Sequence, residues 1–160
     1  MPNYHMNRDD KQVIDEKVFN RILTQGKYTT ISMCRNDEPY IVTMNYGYDR
    51  DKNALYFHCA NKGLKLDFIR ANPRVCATVV EDHGYKKDEC DHAYLSIVFW
   101  GTLTIVEDLD EKKHALEVLL NHLEENPDPI RERNLKSDES YKNVEILRLD
   151  IHEITGKHAQ

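Results

Sequence analysis

From Tyr28 onward the hydrophobic period is two, and short polar turns punctuate it. The runs 28–34, 39–48 and 54–59 are rich in β-branched and aromatic residues, which suit a pleated, half-buried surface. Arg35-Asn36-Asp37-Glu38 and Asp49-Arg50-Asp51-Lys52-Asn53 separate them. Turns that short join antiparallel neighbours, because parallel strands need a crossover of roughly a dozen residues or more. The first half of the chain is therefore committed to an antiparallel meander.

The flanking segments change period. Ile14, Val18 and Ile22 stand four apart beside Phe19 and Leu23, which predicts a helix over 12–24, with Gly26 where a C-terminal cap belongs. A second helix is expected over 61–71, with Leu64 and Phe68 on one side and Asn72-Pro73 as its stop. A fourth strand follows at 74–81, a charged loop at 82–91 and a long fifth strand at 93–106. Gly101 sits inside that strand, where glycine marks a tight bend or a close backbone approach. Leu116, Leu119, Leu120 and Leu123 give a third helix that opens at Asp110 and ends before Pro127. Residues 126–142 are polar and irregular, and 144–154 make a sixth strand. The expectation is an all-β to α+β fold, six antiparallel strands with flanking helices. Pattern alone leaves a small barrel and an open sheet on helices both standing.

Composition narrows the function. The 160 residues are enough to bury a core without disulfides, and no linker or repeat divides them, so residues 1–160 read as one domain. Lys plus Arg is 22 against 28 Asp plus Glu, a net charge of -6, which argues against a general nucleic-acid binder. The amino terminus lacks a signal-peptide core, and no window nears the roughly 18 apolar residues of a membrane helix, so a cytoplasmic protein is expected. Cys34, Cys59, Cys76 and Cys90 are widely spaced without a CxxC pair and read as reduced thiols. His83, Cys90, Asp91 and His92 are zinc-ligand types, but their spacing matches no standard metal pattern.

Three segments carry candidate chemistry. In the run from Tyr56 to Lys65 a strand ends in small residues and a helix begins, with Lys62 and Lys65 in its expected first turn. A helix N-terminus has unpaired N–H donors and partial positive charge, so two lysines there conflict with the dipole unless an anion binds. The alternative is that both ammonium groups point into water. In Val42-Thr43-Met44-Asn45-Tyr46-Gly47-Tyr48, polar Thr43 and Asn45 share one strand face, and Asn45 offers both a donor and an acceptor to a heterocycle's edge. Tyr94 to Gly101 is dense in aromatics, suited to core or to the wall of a flat pocket, with Trp100 at core or interface.

The ordered set EPYIVTMNYGY (38–48), LYFHCANKGLK (55–65), NPRVC (72–76), SIVFWG (96–101) and LDIHEITGK (149–157) resembles the FMN-binding split-barrel proteins related to pyridoxamine 5′-phosphate oxidase. Within them it is most similar to the nitroimidazole-resistance branch. The resemblance spans 11–157 and implies a six-stranded split barrel, a homodimer and FMN at the subunit interface. Carried over by position, Lys62 and Lys65 would hold the phosphate, with His58, Cys59, Ala60 and Gly63 lining its approach. Thr43, Met44, Asn45 and Tyr46 would lie along the isoalloxazine ring, and Ser96 would join from the neighbouring strand. Cys59 stands where relatives often carry Ser, and Leu64 where some carry His.

A bound flavin would do the redox chemistry itself, so no protein acid, base or nucleophile is expected. The implied activity passes electrons from NADH or NADPH to a small acceptor, of which a nitroaromatic is one candidate. Haem- and deazaflavin-binding cousins keep other cofactors open, with His58, His83 or His92 as axial candidates for haem. A flavin sensor or carrier without turnover is the remaining alternative.

Overall fold

In the computed structural model, which describes residues 6–160, alternation sends Thr29, Ile31 and Met33 to a buried face and Tyr28, Ser32 and Cys34 to an exposed one. The elements along the chain are β1 (Gln12–Val13), α1 (Glu16–Gln25), β2 (Tyr28–Arg35), β3 (Glu38–Asn45), β4 (Gly47–Asp49) and β5 (Ala54–Cys59). They continue as α2 (Leu64–Ala71), β6 (Arg74–Lys86), β7 (Asp91–Val106), α3 (Leu109–Leu123), α4 (Asp128–Asn134), α5 (Asp138–Lys142) and β8 (Glu145–Ala159). The β2–β3 turn is tight because Asn36 and Asp37 both take the left-handed conformation, with φ of 48° and 63°, which matches the twist of a hairpin.

Among the described residues the strands form one antiparallel sheet in the order β3-β2-β6-β7-β8-β5-β4, with β1 added to β8. The two ends of that order are neighbours in sequence, since only Tyr46 separates β3 from β4. A flat sheet would hold its first and seventh strands roughly 29 Å apart, whereas one linking residue reaches roughly 7 Å. The sheet must therefore curl into a barrel. Its hydrogen-bonded ladder stays open at the seam, and the chain itself bridges the gap.

Inside lie Ile31, Leu55, Phe57, Ile97, Phe99, Leu147 and Leu149, all fully buried. Ile22 and Leu23 of α1 and Leu66 and Phe68 of α2 join the same core. A second, smaller core forms outside the barrel, where Ala115, Leu116 and Leu119 of α3 pack on Tyr56 and Ile146. There α3 lies directly on β4: a Cβ at Gly47 would come within 2.8 Å of the Leu119 backbone.

Four expectations need correction. The single strand expected over 39–48 is two strands, because Tyr46 turns wholly inward and its hydroxyl donates to the Leu23 carbonyl at 2.7 Å. With β1, this raises the strand count from six to eight. The charged stretch 82–91 is a hairpin rather than a loop; His83 is bulged out between Asp82 and Gly84, and Gly84 has φ of 99°. Residues 126–142 hold two short helices. Finally, two helices start late: α1 at Glu16 rather than Gln12, because Gln12 and Val13 pair with β8 and Asp15 caps the helix, and α2 at Leu64 rather than Asn61, because Gly63 has φ of 142°, outside the helical region.

Candidate functional site

Alternation along β5 separates residues that sequence had grouped. His58 faces out, beside Leu116, Leu120 and Val144 in a groove of about 280 Å³ under α4, while Cys59 packs against the barrel core. Burial pushes the Cys59 thiol up, and the nearby Lys65 ammonium opposes that rise. Lys65 thus stands close to the end of β5, half-buried in the first turn of α2. Ala60, Lys62 and Gly63 are exposed in the preceding loop. With the helix starting at Leu64, only Lys65 lies in its first turn, and Lys62 sits just before the cap. No side chain caps α2; the Leu66 N–H bonds the Gly63 carbonyl at 3.0 Å, which leaves those of Leu64 and Lys65 at the open end beside the two lysines, with the exposed Asp67 one turn on.

On β3, Thr43 and Asn45 face outward, and Met44 is half-buried against the core. The run 43–46 therefore presents two side chains to the outer face, not four; Met44 and Tyr46 contribute only backbone there. Thr43 and Thr30 hydroxyls are paired at 2.9 Å, and the Asn45 Nδ2 donates to the Lys27 carbonyl at 3.0 Å. That bond fixes the amide and leaves Oδ1 as its acceptor.

Strand register assembles the rest of this face. Thr43 pairs with Thr30, Thr30 with Thr78, Thr78 with Val98 and Val98 with Thr155, one row across five strands. Ser96 sits in the next row, between Val80 and Lys157. It lines a groove of about 400 Å³ together with Trp100, Thr155, Lys157 and Arg8. Thr155 and Lys157 fall in the 149–157 motif but had no expected place, and Arg8 was missed, since nothing local ties the amino-terminal segment to β7. Tyr28, Ile41 and Val80, 61%, 64% and 55% exposed, lie on this same outer face. Register sets Ile41 opposite Ser32, four residues along β2 from Tyr28, so the three are spread across the face.

The other candidates are dispersed. His92 bonds Asp82 at 2.6 Å and His83 lies 3.4 Å from Glu81 on the β6–β7 hairpin. Among the described residues no three His, Cys, Asp or Glu side chains converge as a metal site. The four cysteines are free thiols, and no described helix is long and apolar enough to cross a membrane.

Comparison with known proteins decides the family, because a match to pyridoxamine 5′-phosphate oxidase covers residues 15–158. The chain belongs to the pyridoxamine 5′-phosphate oxidase family. An uncharacterised protein of Rhizobium meliloti is 30% identical over 70 residues, a match spanning 44% of this chain and 44% of that relative. A candidate 5-nitroimidazole antibiotic resistance protein from Bacteroides thetaiotaomicron superposes with a TM-score of 0.77 at 23% identity, covering 97% of this chain and 95% of its own. The flavocytochrome Anf3 from Azotobacter vinelandii reaches a TM-score of 0.83 at 15% identity, over 100% of this chain and 75% of that one. These likenesses establish the split-barrel fold of the family for this chain.

Proposed function

We propose that the protein binds FMN non-covalently between two copies of the chain and serves as a flavin-dependent oxidoreductase. The observation that carries this reading is the uncapped start of α2, with Lys62 and Lys65 beside it, at the end of β5. An anion there would meet both ammonium groups and the open N–H groups of the helix end, which the exposed Asp67, 3.6 Å from Arg70, answers only in part. A phosphate there would accept from the N–H groups and from both ammonium groups. The rest of the donor set suits a flavin. Asn45 Oδ1 would accept from the imide N–H of the ring, and the hydroxyls of Thr43 and Ser96 offer further partners along the outer face. Family membership and the likeness to a flavocytochrome support the same cofactor class.

When bound, FMN supplies electron transfer between a reduced nicotinamide, NADH or NADPH, and a small acceptor such as a nitroaromatic. The chain's own part is to hold the phosphate, orient the ring and bring an apolar cover over it. A second copy packed on Tyr28, Ile41 and Val80 would provide that cover and exclude water. The free cysteines fit a reducing, cytoplasmic setting.

Replacing Lys62 and Lys65 together by alanine tests the phosphate site. FMN affinity, followed by quenching of flavin fluorescence, should fall by about a hundredfold or more, because two charge-assisted hydrogen bonds at about 1.5–3 kcal/mol each are lost. Unchanged affinity would sink the assignment. Steady-state oxidation of NADH or NADPH with a nitroaromatic acceptor separates an oxidoreductase from a flavin carrier without turnover.

A further inference from the structure

His122, in the last turn of α3, makes contacts that the cofactor reading does not require. Its Nε2 donates to the Gly26 carbonyl at 2.6 Å, and its Nδ1 accepts from the Tyr48 backbone N–H at 3.5 Å. A carbonyl can only accept and an N–H can only donate, so this pair of contacts selects one neutral tautomer. The ring also packs on Tyr46 with centroids 5.0 Å apart. One residue on from Gly26, the Lys27 carbonyl accepts from both the Asn45 side-chain amide at 3.0 Å and the Tyr46 N–H at 3.2 Å. The turn at Gly26 and Lys27 is thus gripped from two sides, by α3 through His122 and by β3 through Asn45.

We propose that neutral His122 is a positioning residue for the cofactor face, holding the turn whose Lys27 carbonyl orients Asn45. The proposal rests on the flavin reading above. A proton added at Nδ1 sets a donor against the Tyr48 N–H and ends that contact. The surroundings oppose that proton. Burial lowers the His122 pKa, the Gly26 bond works against that shift, and the Lys27 ammonium reinforces it. The same ammonium also donates to the His122 carbonyl. The hydroxyls of Tyr46 and Tyr48 are engaged with Leu23 and Asn20. In the adjoining groove Asp49 is paired with His114 and Glu117 with Arg131, while Arg50 and Asp51 are exposed. No carboxylate in this set is bonded to the imidazole. The Nε2–H bond to the Gly26 carbonyl is the hold on the turn, and it is a donor bond that a glutamine amide can reproduce.

The test compares FMN affinity in the wild type, His122→Gln and His122→Ala. Glutamine keeps a donor for the Gly26 carbonyl, so it should bind within about twofold of the wild type, whereas His122→Ala should bind about fivefold more weakly, the loss of one net hydrogen bond. Adding Asn45→Ala should cost His122→Ala much less than it costs the wild type, because the two act through one turn. Wild-type affinity in His122→Ala, no recovery in His122→Gln, or additive effects of the two alanines overturn the proposal while leaving the flavin reading intact. If the wild type binds no FMN, the flavin reading itself fails. In that case the NMR signals of the Asn45 side-chain amide decide the tether. A shift in His122→Ala that His122→Gln lacks supports it, and identical signals in all three proteins overturn it.

Discussion

A methyl group at Gly101 would lie 2.1 Å from the Asp150 carbonyl oxygen, where β7 and β8 pack backbone to backbone. The register slips at that point, from Trp100 opposite Glu153 to Gly101 opposite Ile151, so His152 is the extra residue that bends β8 around the barrel. Gly101→Ala should therefore cost about 2–3 kcal/mol, read as a lower urea midpoint with an unchanged slope. Gly63 is different, since nothing lies within 4 Å of its missing Cβ and only its φ of 142° requires glycine. Gly63→Ala should leave the midpoint within about 1–2 kcal/mol of wild type, yet disturb the loop that carries Lys62. His122 makes a stability prediction as well as a functional one. Its folded pKa lies below the ordinary 6.5, so between the two values the unfolded chain holds more protons. Stability should fall as pH drops below about 6.5 and recover above it, and His122→Gln should flatten that part of a melting-temperature profile.

Element by element, the outer helix α3 is tied to the barrel by polar contacts as well as apolar ones. Tyr56 donates to Glu111 at 3.0 Å, and Arg148 donates to the same carboxylate at 2.6 Å and to Asp150 at 3.1 Å. Burial pushes the Glu111 carboxyl up, but the bonds from Arg148 and Tyr56 outweigh it and leave the group below its ordinary value. Its stabilisation is present above that value and is lost as pH falls through the folded one. Arg148→Met should cost about 1–3 kcal/mol by leaving a half-buried carboxylate short of a partner, with the deficit shrinking in acid as Glu111 protonates. Most elements were legible because their periods are clean: α1, β5 and α3 follow directly from Ile22 and Leu23, from the 54–59 run and from Leu116 and Leu119. Where the reading failed, local pattern gave way to a tertiary demand. Tyr46 looks like one more strand residue, but the core takes its ring and α1 its hydroxyl, which breaks one strand into two. The hairpin at 82–91 was hidden by its charge, because a ribbon projecting into water has no buried face to impose alternation. At the candidate site, Lys62, Lys65, Thr43, Asn45 and Ser96 were visible as residue types in a family order. The inward turn of Met44 and the outward turn of His58 depend on barrel closure, which no local spacing encodes.

For the whole molecule, closure of the sheet through Tyr46 leaves one broad outer face, crossed by the Thr43-to-Thr155 row and edged by Tyr28, Ile41 and Val80. A dimer through this face would place the two cofactor sites at the seam. Sedimentation should show a dimer for the wild type and a monomer for Ile41→Lys combined with Val80→Lys, with unchanged circular dichroism. The charged pair should also abolish FMN retention if, as proposed, the second copy covers the ring. The most direct measurement is the visible absorption spectrum of the purified protein after incubation with FMN and removal of the free ligand. Oxidised-flavin bands are expected at a stoichiometry near one FMN per chain, and they should be lost in the Lys62→Ala, Lys65→Ala variant. A protein that folds and dimerises but leaves the column colourless, or carries a haem Soret band instead, would contradict the flavin reading.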